Sequence, residues 1–195
     1  MPIINIFVTD GLGENTVAQG RGVLIKIVRT LLIASAVCGS AVTGNAQQSS
    51  PDIISGQAVV VDADIIRIGT QRIILWGIDA PERSQFCYKD GEIWGCRDAA
   101  LRLLETLIGR AEVTCYLTGD PDPFNRRHGV CESGDDDINA EMVRAGMALA
   151  YLDQTDDYAD AQLEAIASET GLWQIGVEFE EPWAFRKANT PGGYR

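Results

Sequence analysis

Arg72-Ile73-Ile74-Leu75-Trp76-Gly77-Ile78-Asp79-Ala80-Pro81-Glu82 is the stretch that decides how the chain is read. Residues 72–78 are rich in β-branched and aromatic side chains, which suit a strand. Pro81 has no N–H to give to a ladder, so the strand ends at Asp79-Ala80-Pro81-Glu82 and leaves two carboxylates at its end. Loops at strand ends are where a rigid sheet can aim side chains.

Upstream, Gln57-Ala58-Val59-Val60-Val61-Asp62 and Ile65-Ile66-Arg67-Ile68 read as two more strands, with Gly69-Thr70-Gln71 as the turn into the third. Asp64 lies between the first two. Downstream, Ala100, Leu103, Leu104 and Leu107 recur at helical spacing within 97–108, and Gly109 is a natural stop. Glu112–Thr118 and Val130-Cys131-Glu132 are strands, separated by a turn-rich loop with Pro121 and Pro123. Helices are expected at about 138–145 and 158–168, the latter with Leu163, Ile166 and Ala167 on one face. Thr190–Arg195 reads as tail. Three strands, a helix, two strands and two helices predict an α+β fold: a five-stranded β-barrel of the OB type carrying three helices.

The first 46 residues read differently. Lys26 and Arg29 precede an apolar run from Leu31 to Cys38, and small residues follow to Ala46. Basic, then apolar, then small is the pattern of a secretory signal, with cleavage expected after Ala46. The apolar run is shorter than the roughly 20 residues of a membrane-spanning helix, so no membrane insertion is expected once it is removed. The expected organisation is a signal with an N-terminal extension over 1–46, a linker over 47–55, a folded domain over 56–186 and a flexible tail over 187–195. A periplasmic or secreted monomer follows from this reading.

Without residues 1–46 the chain keeps 13 Lys and Arg against 26 Asp and Glu, a net charge of −13. Such a protein is repelled by polyanions at long range, which argues against tight, non-specific duplex binding. It leaves room for a local site. Four cysteines remain, Cys87, Cys96, Cys115 and Cys131. An even number in an exported chain points to disulfides. Of three possible pairings, Cys87–Cys96 would close a small loop and Cys115–Cys131 would link neighbouring strands, and this pairing is expected. A zinc site is disfavoured by the lack of a CxxC and by a single histidine, His128.

Asp64, Asp79 and Glu82 are the carboxylates that stand out. Turns attract Asp for local reasons. Converging on one point, however, such oxygens would hold Ca²⁺ or Mg²⁺. Val61-Asp62-Ala63-Asp64 followed by Trp76-Gly77-Ile78-Asp79-Ala80-Pro81-Glu82 resembles the thermonuclease, or staphylococcal-nuclease-like, family. Asp122-Pro123-Phe124-Asn125-Arg126, the helix segment Asn139–Gly146, Gly171-Leu172-Trp173 and Glu181–Arg186 extend the likeness over residues 56–186. The resemblance implies phosphodiester hydrolysis on nucleic acid, single-stranded for so acidic a chain. By matching position it implies Ca²⁺ held by Asp64, Asp79 and the backbone carbonyl of Ala80. It makes Glu82 the residue that orients the attacking water, and Arg126 one of two arginines on the phosphate.

The departures concentrate in one place. The family's other arginine falls at Ile74, which can neither carry charge nor donate a hydrogen bond. Losing one preorganised donor typically costs about 10²–10³ in rate. Arg72, two residues earlier on the same strand face, is a candidate substitute or an ordinary exposed arginine. Ala63 and Ile65 stand where the family's first turn has Gly and Thr. His128, the Asp135–Asp137 turn, Trp173 and Trp183 read as an exposed turn residue, a solvated turn and two packing residues. Two functions follow as expectations: a weak or degenerate Ca²⁺-dependent phosphodiesterase, or a non-catalytic accessory protein, for example in exopolysaccharide (succinoglycan) synthesis, with which some exported members are associated.

Overall fold

The computed structural model describes residues 52–189; the expected signal and Thr190–Arg195 lie outside the described residues. Strands β1 (Asp52–Asp62), β2 (Ile65–Ile68) and β3 (Gln71–Leu75) form an antiparallel meander. β1 begins five residues earlier than its β-branched run. Its first half, Asp52–Gln57, pairs with β7 (Glu112–Thr118), so residues expected as linker belong to the sheet. β7 pairs with β8 (Arg126–Ser133), and β8 runs parallel to β3, closing a five-stranded mixed barrel. Gly69, at φ +57°, makes the two-residue turn between β2 and β3. Ile66, Ile68, Ile73, Leu75, Val113, Cys115 and Cys131 are buried in the barrel core.

The stretch 72–82 is not one strand. Gly77, at φ +76°, turns the chain, and a Cβ there would lie 2.5 Å from the Thr155 methyl and 2.8 Å from the Tyr158 ring. Its N–H donates to Gln154 Oε1 at 2.9 Å and its carbonyl accepts from Tyr151. After this turn Ile78–Asp79 (β4) pairs with Leu149–Ala150 (β10), so Asp79 is registered against Leu149. The turn aims the carboxylate end of the motif away from the barrel wall.

A second small sheet follows: β5 (Cys87–Lys89), β6 (Glu92–Trp94) and, from far along the chain, β11 (Val177–Glu178). Cys87 is bonded to Cys96 and Cys115 to Cys131. The first ties this hairpin to the start of α1 (Cys96–Ile108), which buries Ala100, Leu104 and Ile108. The second joins registered partners of β7 and β8. After β9 (Asp136–Asp137) comes α2 (Ile138–Arg144), where the Asp137 carboxylate accepts from Ala140 N at the helix start. Asn139 is fully buried and well satisfied. Its Nδ2 donates to the carbonyls of Trp76 and Gly129, and its Oδ1 accepts from Cys131 N. This one side chain locks α2 to the residue just past β3 and to the middle of β8.

The structure refines two expectations. α3 (Ala159–Ala167) buries Ala161 and Ala165, whereas Leu163 and Ile166 are 62% and 41% exposed. The small alanine face lets α3 pack closely against α2, and helical periodicity alone does not choose between a large and a small face. Among the described residues there are four α-helices, one more than the three expected. A one-turn helix (Gly171–Trp173) is followed by α4 (Pro182–Asn189), which takes in residues 187–189 of the expected tail. No described helix is long and apolar enough to cross a membrane.

Candidate active site

The site is built from the end of β4, the loop that follows it, and α4. Asp79 is fully buried and Ala80 is 3% exposed, while Glu82 is half-buried at the mouth. From α4, Arg186 reaches into the same place. Its Nη2 donates to Asp79 Oδ2 at 2.6 Å and its Nη1 to Asp79 Oδ1 at 2.8 Å, and Nη1 also donates to Glu82 Oε1. This is a two-pronged guanidinium–carboxylate fork with a second carboxylate on one prong. Burial works against the charge on Arg186, but the hydrogen bonds and the attraction of Asp79 and Glu82 outweigh it and hold the guanidinium protonated more firmly than usual.

A buried glutamine fixes the geometry. Gln85 accepts from Glu82 N at 2.9 Å and donates to the carbonyl of Glu180 at 2.6 Å. The glutamate loop and the lead into α4 are therefore held by one side chain. Trp183, one turn before Arg186, lies at 5.4 Å from the Tyr151 ring, and Pro182 is buried. Beside the pair opens a cleft of about 520 Å³ lined by Glu82, Arg83, Phe86, Phe185, Arg186 and Asn189. Phe86 is 60% exposed there.

Asp64 occupies the turn between β1 and β2, half-buried, and its carbonyl accepts from Leu75 N at 2.9 Å. Its neighbour Asp62 is held by Arg97 at 2.9 Å and by Ala63 N. Among the described residues, no three Asp, Glu, His or Cys side chains are grouped as a metal ion would need. Both oxygens of Asp79 and one of Glu82 already accept from Arg186. A calcium ion takes six to eight oxygens. With the guanidinium in place, these residues do not fit a divalent cation.

Within β3, Ile74 is 2% exposed and registered against Ile65 on β2 and His128 on β8. Two of the three apolar departures from the resembled pattern, Ile65 and Ile74, are thus cross-strand partners. His128 is not on an exposed turn: it sits in β8, half-buried, edge-on to Trp76 at 5.5 Å. Arg72 is exposed and registered against Arg126 and Arg67. Arg126 opens β8. Its Nε donates to Asp122 Oδ2 at 2.6 Å, and its guanidinium lies 5.3 Å from the exposed Phe124 ring. Burial would raise the Asp122 carboxyl, but the hydrogen bonds from Arg126 and Phe124, with the Arg126 charge, hold it below its usual range. Trp173 packs edge-on against Phe179 at 5.4 Å.

The residues that sequence reading did not single out are Gln85 and Arg186. The available signal was sparse charge: after Arg144 the chain has only Arg186, Lys187 and Arg195 as basic residues. A buried carboxylate such as Asp79 needs such a partner.

Comparison with known proteins points to the same fold. The family model described as staphylococcal nuclease homologue matches residues 72–175. The chain is 30% identical over 153 residues to the succinoglycan biosynthesis protein ExoI of Rhizobium meliloti (strain 1021), covering 76% of this chain and 78% of that protein. It is 27% identical over 143 residues to the probable endonuclease LCL3 of Scheffersomyces stipitis, covering 63% of this chain and 56% of that one. Nucleases of this fold bind nucleic acid and are generally calcium-dependent. A closed barrel ending in the Asp79–Glu82 motif, and a family match over more than half its length, place the chain in the staphylococcal nuclease homologue family.

Proposed function

We propose that this chain is a thermonuclease-fold protein with weak or degenerate phosphodiesterase activity on nucleic acid. One observation carries the reading. Asp79 and Glu82 converge on one guanidinium at the edge of an open cleft, and a buried charge such as that of Asp79 is costly to keep for structure alone. In this reading Glu82 orients the attacking water and Arg126 meets the phosphate. Asp64 and the Ala80 carbonyl complete the family's set of oxygens beside Asp79. Activity is weak because the machinery is engaged within the chain: Arg186 holds both carboxylates, Asp122 holds Arg126, and Ile74 supplies no donor.

The substrate class that fits is single-stranded nucleic acid, since an overall charge of −12 disfavours a long duplex. Two disulfides suit an oxidising compartment, periplasmic or extracellular, and the chain is proposed to act as a monomer.

A second reading has its own support. The relative with 30% identity is named for succinoglycan biosynthesis, and a site filled by its own arginine suits a non-catalytic accessory protein in exopolysaccharide production. The two separate in one assay. Purified protein is incubated with single-stranded DNA and Ca²⁺, beside Glu82→Gln and Ile74→Arg. The enzyme reading expects slow cleavage, its loss in Glu82→Gln, and a gain toward the roughly 10²–10³ that one preorganised donor supplies in Ile74→Arg. No cleavage by any of the three sinks it and leaves the accessory reading.

A further inference from the structure

The family to which this chain belongs is generally calcium-dependent, yet its carboxylates are already taken. We infer that Arg186 is the resident cation of this site: α4 delivers a guanidinium to Asp79 and Glu82, and a divalent ion can enter only by displacing it. This deepens the proposed reading of the site and rests on it in one respect, that Asp79 and Glu82 are the metal-side carboxylates.

Three features support competition rather than coexistence. First, the fork engages both oxygens of Asp79, at 2.6 and 2.8 Å, and puts a full positive charge beside the carboxylate, which repels a second hard cation there. Second, arginine cannot lose its proton in a protein, so the charge of an incoming ion cannot be accommodated by deprotonation. Third, Arg186 is not a mobile surface residue. Its side chain is 15% exposed, and α4 is anchored by buried Pro182, by Trp183 against Tyr151 and by the Gln85–Glu180 hydrogen bond. The guanidinium, moreover, has the planar, two-pronged shape that matches a carboxylate, which a lysine in its place would lack.

The inference is tested by calcium-dependent thermal unfolding and calorimetry on the full chain, without substrate. The wild type is expected to shift by no more than about 1 °C at millimolar Ca²⁺. Arg186→Gln is expected to melt lower without metal. It should then rise by roughly 5–10 °C at a Ca²⁺ concentration about 100 times its dissociation constant. Equal calcium responses in the two proteins overturn the inference, because metal and guanidinium then coexist. A folded Arg186→Gln that ignores calcium also overturns it, because there is then no cation site for Arg186 to fill. Should Arg186→Gln not fold, Trp183→Ala keeps the arginine but loosens α4; it is expected to gain an intermediate response, and none counts against the proposal. A calcium-responsive Arg186→Gln that cleaves no DNA refutes the phosphodiesterase reading and leaves this one standing.

Discussion

Two neighbouring parts of the motif, Ile74 within β3 and Asp79–Glu82 beyond its end, solve the same problem in opposite ways. At Ile65 and Ile74, charge and hydrogen-bonding capacity expected from the family are gone, and two isoleucines face each other across the β2–β3 ladder, one of them 2% exposed. An apolar cross-strand pair is self-sufficient: burying it stabilises the sheet and asks for no partner. At Asp79 and Glu82 the carboxylates are kept, and Asp79 is fully buried. Buried charge must be compensated, and the chain provides the compensation from α4. Loss of a functional group can thus be silent in a fold, whereas its retention obliges the rest of the fold to respond.

The largest effect is expected where charge is buried. Arg186→Ala leaves Asp79 uncompensated and should lower stability by roughly 3–5 kcal/mol, read from urea unfolding. The comparison sharpens if the whole cluster is made apolar: Asp79→Leu with Arg186→Met should recover most of that loss, because removing both charges removes the demand. A double variant as unstable as Arg186→Ala would mean that the fork stabilises in its own right, and the contrast with the isoleucine pair would break.

A smaller effect is expected at the isoleucines. Ile74→Val should cost about 0.5–1.5 kcal/mol, the usual loss for one buried methylene, with no dependence on salt or calcium. A salt-dependent result would show that the Ile65–Ile74 region still communicates with charged groups.

The smallest effect is the acid limb at Arg126. The folded Asp122 carboxyl sits below its ordinary value of 3.8. The unfolded chain therefore takes up the proton first. The contribution is present above that pH and lost as pH falls through the lower folded value. Asp122→Asn should flatten this part of the pH dependence of the unfolding midpoint. An unchanged slope would mean that Arg126 is held mainly by β8.

Much of this molecule is local and was legible. The meander, α1, β7, α2 and the paired cysteines follow from β-branched runs, helical spacing and turn residues acting over a few positions. The partial misses share a cause. β1 extends back to Asp52 because β7 is there to pair with it, and α3 turns its alanines inward because α2 lies close. His128 joins a strand because β3 runs alongside. In each case a neighbour distant in sequence outweighs the local preference.

By itself the sequence determined the carboxylate motif, the strand runs of the barrel and the apolar residue at position 74, because each is written in residue type and short spacing. Only the tertiary structure decided what the carboxylates do at rest. Arg186 is 107 positions from Asp79, and no periodicity or turn rule spans that interval. The two meet because Gly77 swings Asp79 out of the barrel wall, Gln85 holds its loop to the chain at Glu180, and α4 then carries the guanidinium over the pair. Electrostatic compensation acts through space, so the partner of a buried charge is chosen by the fold.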